Sequence, residues 1–124
     1  MRYIYSVVVL ILLASSTKAQ KWEWAQKLGN VKSDKITCIK SDSAGYIYIA
    51  GYFSTSVTIG TNNLFLNYTA NPQSKEIFLA KLDSTGYCYW AKSGGQYYDD
   101  RVLGMDVDAN GNSVITGTFW EGAG

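Results

Sequence analysis

Residues 36–53 read ITCIKSDSAGYIYIAGYF, two apolar-rich runs of strand length separated by a turn sequence. Successive side chains of an extended chain point to opposite sides, so Ile47, Ile49, Gly51 and Phe53 share one face of the second run. Residues 102–119, VLGMDVDANGNSVITGTF, repeat the pattern with Ser113, Ile115, Gly117 and Phe119 in the matching places. The turn is Asp-x-x-Gly both times. Aspartate accepts hydrogen bonds from the backbone ahead of it, and glycine takes the positive φ that closes such a hairpin. A third instance, IFLAKLDSTGYCYWAKS (77–93), places Asp83 and Gly86 between two more such runs. Strands are therefore predicted over 36–41, 46–53, 76–82, 87–92, 102–107 and 112–119, with no sustained helical periodicity.

The echo is longer than one hairpin. Residues 24–53 align without a gap on residues 90–119, with identities at Trp24/Trp90, Ala25/Ala91, Gly29/Gly95, Asp34/Asp100, Asp42/Asp108, Gly45/Gly111, Ile49/Ile115, Gly51/Gly117 and Phe53/Phe119. Most of these are residue types that anchor packing or form turns. Fixed-period similarity of this kind marks a repeat architecture. Four antiparallel strands per repeat, a to d from inside outward, is the unit of a propeller blade. The expected fold is all-β: antiparallel four-stranded propeller blades, about one and a half of them present, with 36–41 as strand a, 46–53 as b, 76–82 as c and 87–92 as d. Trp22 to Ala25, aligned with Cys88 to Ala91, is expected to be a d-type strand that joins the first blade to the last.

Three stretches, DANGNSVITGTF, IFLAKLDSTG and WAKSGG, resemble the bacterial β-propeller repeat family labelled SBBP, whose pattern runs D-x-x-G-N-x-Y-V-x-G-x-F, then F-x-A-K-L-D-x-x-G, then W-A-K with a glycine pair. The resemblance covers about residues 22–119. It implies a secreted or cell-surface repeat protein, and because a propeller needs about four blades to close, an N-terminal fragment whose remaining blades lie further along the same full-length chain. One departure is the stretch from Ser54 to Lys75. It lengthens the repeat beyond the ~40 to 50 residues of an ordinary blade and leaves the form of strand c open.

The first residues change the picture of destination. MRYIYSVVVLILLASSTKAQ has a basic start, an apolar run of about 11 residues and a small residue, Ala19, suited to cleavage. Residues 1–19 read as a secretory signal peptide, since the run falls short of the roughly 20 residues a membrane-spanning helix needs. Residues 20–124 are then the propeller repeat domain, exported and without membrane insertion. The whole chain carries a formal charge of +1. Without Arg2 and Lys18 the balance is slightly acidic, which gives no electrostatic reason for nucleic-acid binding. Cys38 on strand a and Cys88 on strand d would lie three strand spacings apart, each about 4.8 Å, too far for a disulfide, so free thiols are expected.

Few motifs carry chemistry. Histidine is absent, which removes Ser-His-Asp and Cys-His catalysis and histidine metal ligands. Asp106, Asp108, Asn110 and Gly111 imitate the start of a calcium loop, but the positions for the later ligands are Val114 and Gly117, without side-chain oxygen. A turn is the expected role, with calcium as the weaker alternative. The d-to-a connection contains GQYYDDR (95–101), where Tyr97 and Tyr98 would stack on a sugar ring and Asp99 accept hydroxyl hydrogen bonds. The favoured alternative is that a tyrosine packs on the neighbouring blade, tyrosine being so often half-buried, and that Asp100, like Asp34, caps the loop. Asp99 and Asp100 are neighbours on an extended chain and point apart, a poor acid/base pair. The expectation is a non-catalytic propeller repeat protein that binds a protein or glycan through the rim formed by the connections 28–35, 54–75 and 94–101, with no cofactor. The rival is a carbohydrate-active propeller enzyme whose catalytic carboxylates lie in other blades.

Overall fold

The computed structural model describes residues 22–29, 33–66, 74–95 and 98–120. The signal-peptide reading of residues 1–19 lies outside them. Among the described residues eight strands are formed: β1 Lys35–Ser41, β2 Ile47–Phe53, β3 Ser56–Ile59, β4 Asn62–Phe65, β5 Glu76–Leu82, β6 Cys88–Gly94, β7 Arg101–Val107 and β8 Ser113–Thr118. All ladders between them are antiparallel. The main sheet has the order β1-β2-β5-β6, the a-b-c-d order expected of the first repeat. β7 and β8 form the matching first hairpin of the second repeat.

Directly paired residues share a face. Ile39, Ile49 and Ala80 are aligned across β1, β2 and β5 on one face, and Cys38, Ala50 and Leu79 on the other. Both faces are covered, which is why β2 and β5 read as nearly continuous apolar runs. On the first face Ile49, Phe53, Phe78, Ala80, Leu82 and Cys88 form one core. On the second, Tyr48, Ala50 and Ile77 pack with Val102 and Met105 of β7 in another. The two repeats are thus stacked face to face, with β7 against β1 and β2.

Two expectations need correction. The connection 54–75 is not merely a loop: β3 and β4 make a hairpin within it, pairing Ile59 with Asn62. Gly60 lies at φ 62° in the two-residue turn, as the first position of a type II′ turn requires. Val57 and Ile59, alternating with the exposed Thr58, are buried in the first core. The signal was an alternating apolar run followed by a glycine-led turn.

The d-type strand expected at Trp22 to Ala25 is also not formed, and residues 22–29 make no strand. Trp24 instead donates its indole Nε1–H to the Ser84 carbonyl at 2.6 Å, and its ring lies beside Gly86. Leu28 packs against the first core. The segment is held through Trp24 on the β5–β6 turn, and the final blade whose edge it was expected to complete is not among the described residues.

Candidate functional site

The three Asp-x-x-Gly turns have one geometry. An Oδ1 of Asp42 accepts the amides of Ala44 and Tyr46, each at 3.0 Å. Asp83 holds Thr85 and Tyr87 at 2.8 and 3.1 Å, and Asp108 holds Asn110 and Asn112 at 2.9 and 2.8 Å. Gly45, Gly86 and Gly111 take φ of 86°, 88° and 80°. These bonds favour the carboxylates, and the Asp83 and Asp108 carboxyls lie below their ordinary pKa, chiefly through Thr85 and Asn112 respectively.

The calcium candidates are therefore divided. Asp108 directs both oxygens into its own turn, with Oδ2 on the Asn112 side-chain amide at 2.8 Å. Asp106 lies 4.0 Å from Lys40 Nζ and bonds the Val107 amide. Asn110 enters the turn through its backbone amide. Among the described residues no group of three or more acidic, cysteine or histidine side chains is gathered for a metal.

At the opposite end of the strands the connection into β7 meets the start of β5. Tyr98 O accepts the Lys75 amide at 3.3 Å, and Lys75 O accepts the Asp100 amide at 3.0 Å. This short parallel bridge fixes Asp99 beside two cations. Arg101 grips its carboxylate through Nε and Nη2, the latter at 2.5 Å, and Lys75 Nζ lies at 3.5 Å. The Arg101 bond and the Lys75 charge hold the Asp99 carboxyl below the usual range, and Asp99 in turn raises Arg101. Tyr52 lies beneath both cations, with its ring centre 5.5 Å from Lys75 Nζ and 5.7 Å from Arg101 Cζ. Tyr98 is 40 % exposed. Tyr97 lies outside the described residues.

Asp99 and Asp100 do separate, as the alternating chain requires. Asp100 is buried and its Oδ1 accepts the Trp120 amide at 3.0 Å. Its counterpart Asp34 accepts the Ser54 amide at 3.2 Å. Both tie the entry of a strand a to the exit of the following strand b. Cys38 and Cys88 are unbridged and pack in the two different cores. Burial pushes the Cys88 thiol up.

Sequence reasoning missed an aromatic cluster at the turn end. Tyr89 stands edge-on to Tyr46 at 5.4 Å and to Tyr87 at 5.3 Å, and Lys81 Nζ lies 3.9 Å above the Tyr46 ring. Its members come from three segments, so only strand pairing reveals it.

Residues of this chain are 27 % identical over 113 aligned positions to an uncharacterized WD repeat-containing protein of Acanthamoeba polyphaga mimivirus. The match takes in 81 % of this chain and only 8 % of that protein. No protein-family model matches the chain, and no solved structure matches it. With the antiparallel all-β architecture, the distant likeness suggests a β-propeller-type repeat and does not extend to the SBBP family in particular.

Proposed function

We propose that this chain is part of a secreted or cell-surface β-propeller that works as a non-catalytic binding scaffold and takes a protein ligand on the rim bearing Tyr98, Asp99 and Arg101. One observation carries the reading: the rim's acidic side chains are engaged in holding the fold, while exposed tyrosine and paired cations remain presented beside them. Asp34 and Asp100 accept strand-exit amides, and Asp99 is clamped by Arg101 and Lys75. No carboxylate pair among them is arranged for hydrolysis. Loops held by a rigid sheet are the usual place for recognition, and tyrosine and arginine are the side chains that most often dominate it. The WD repeat-containing relative supports a repeat scaffold.

A glycan ligand is the second reading, favoured by the exposed Tyr98 on the same connection as the Asp99 carboxylate. Export rests on residues 1–19 and is tested by expressing the chain with its leader and weighing the product; loss of those residues is expected. The ligand class is tested by probing the exported protein against a glycan array and against proteins of its own culture fluid. Arg101→Ala and Tyr98→Ala should each abolish the capture that the wild type gives. Hydrolysis of an array glycan, or capture unaffected by both changes, would sink the rim reading.

A further inference from the structure

The ionic cluster on the rim is not something the repeat needs in order to fold. Asp34 and Asp100 tie the strand entries in both repeats, yet the counterparts of Asp99 and Arg101 are Ser33 and Lys35, and that of Tyr52 is Thr118. The first strand entry is closed by the same aspartate device without the cluster. Exposed ion pairs add little to stability, and the Asp99 and Arg101 side chains are 39 % and 45 % exposed. Tyr52 and Lys75 belong to the first repeat, Asp99 and Arg101 to the second. The site therefore lies at their junction and is complete within these residues, away from the open ends of the stack.

Donor geometry says what fits there. Arginine carries five N–H donors in a planar fork, and lysine three. Asp99 accepts from Nε and Nη2 of Arg101 and lies 3.5 Å from Lys75 Nζ, so the fork already holds a carboxylate in the two-point manner that suits it. The Nη1 edge of Arg101 and the remaining Lys75 donors have no partner among the described residues. Tyr52 holds both cations against its ring. A third cation, Lys35, is exposed and paired with Tyr52 across β1 and β2, which places it on the Tyr52 face. The other acids at this end are engaged by the fold: Glu76 and Asp100 are buried, and Asp34 and Asp100 accept backbone amides. Among the described residues, Lys35, Lys75 and Arg101 thus present their charge here against the exposed carboxylate of Asp99 alone.

We propose that this rim recognises an acidic segment of its protein ligand, whose carboxylates take the remaining donors of Arg101 and Lys75, with Asp99 as the chain's own carboxylate competing for the same cations. The proposal rests on the rim reading above and narrows it from a protein ligand to an acidic one.

The test is fluorescence anisotropy of labelled hexaglutamate with the exported full-length protein, with hexaglutamine and a heparin fragment as comparison probes. Hexaglutamate should bind and hexaglutamine should not, and binding should weaken as salt is raised. Arg101→Ala should weaken it about tenfold. Asp99→Asn keeps the shape, removes the competing charge and should tighten binding about threefold, a gain that misfolding cannot produce. Lys40→Ala, at the turn end of β1, should bind like wild type. Hexaglutamate left unbound, equal binding by Arg101→Ala, an Asp99→Asn protein that binds no tighter, or binding of heparin alone would each overturn the proposal. Where hexaglutamate fails while Tyr98→Ala still abolishes capture of a culture-fluid protein, the rim reading stands and its acidic ligand falls. Capture unaffected by both Tyr98→Ala and Arg101→Ala removes the rim reading itself, and this proposal with it.

Discussion

A methyl group at Gly51 would overlap the Lys35 carbonyl, and one at Gly117 would overlap the Arg101 carbonyl. Both glycines lie opposite an irregularity in the inner strand, between Ile36 and Cys38 and between Val102 and Gly104, where the backbones approach closely. Gly51→Ala should therefore cost about 3 kcal/mol in chemical denaturation, as overpacking of a fixed backbone does. Gly45→Ala meets open space and should cost only the strain of its φ, about 1 kcal/mol. The turn aspartates make a second prediction. Asp83 and Asp108 have folded pKa values below 3.8, so their contribution is complete above the unfolded value and is lost as pH falls through the folded one. With no histidine in the chain, the melting temperature should change little between about pH 5 and 7 and drop below about pH 4. Asp108→Asn keeps an oxygen for the turn amides and should make that acid limb shallower; an unchanged limb would refute the assignment. These turn roles were legible beforehand, because Asp-x-x-Gly recurs three times. The grip of Arg101 and Lys75 on Asp99 was not, since Lys75 is distant in sequence and reaches Asp99 only through the bridge to β5.

The β3–β4 hairpin matters as an element because it replaces solvent on the face of β2 and β5. Without it Phe53 and Phe78, which pack at 6.5 Å between ring centres, would be left open. Ile59→Ala should lower stability by about 3 kcal/mol, as truncation of a fully buried isoleucine does, while Thr58→Ala on the exposed side should stay within about 0.5 kcal/mol. Equal effects at the two positions would mean that the hairpin does not dock as described. Strand order in the main sheet could be read from the repeat, since apolar alternation and turn chemistry agreed at each hairpin. The insertion was harder to read because residues 54–75 follow the aligned repeat 24–53 and have no counterpart within the given residues to align. The fate of residues 22–29 escaped for a different reason. Trp24 aligns with Trp90, but the two do different jobs: Trp90 stands edge-on to Tyr48 in the second core, and Trp24 caps the Ser84 carbonyl. Similar residues at a repeat position fix similar burial only where the neighbouring strand is also present.

At the scale of the molecule, the stack is held by a narrow seam. Tyr48, Ala50, Ile77, Val102 and Met105 are its buried members, and the Tyr48 hydroxyl reaches Asp42 of its own repeat at 3.2 Å and Gly111 of the next. In a repeat array, stability divides into the terms within each unit and the coupling between neighbours. Tyr48→Phe removes the hydroxyl and keeps the ring, so it should weaken the coupling by about 1 kcal/mol. Val102→Asp goes further, because a carboxylate at a wholly buried apolar position has no partner and cannot stay in the seam. The main sheet retains its own first core, formed by β2, β5 and the β3–β4 hairpin, and none of that core belongs to β7. Native-state amide exchange should therefore show β7 and β8 losing protection in Val102→Asp while β2 and β5 keep theirs. Protection lost equally from all four strands would show instead that neither repeat stands without the other, and the seam would have to be counted as part of one indivisible core.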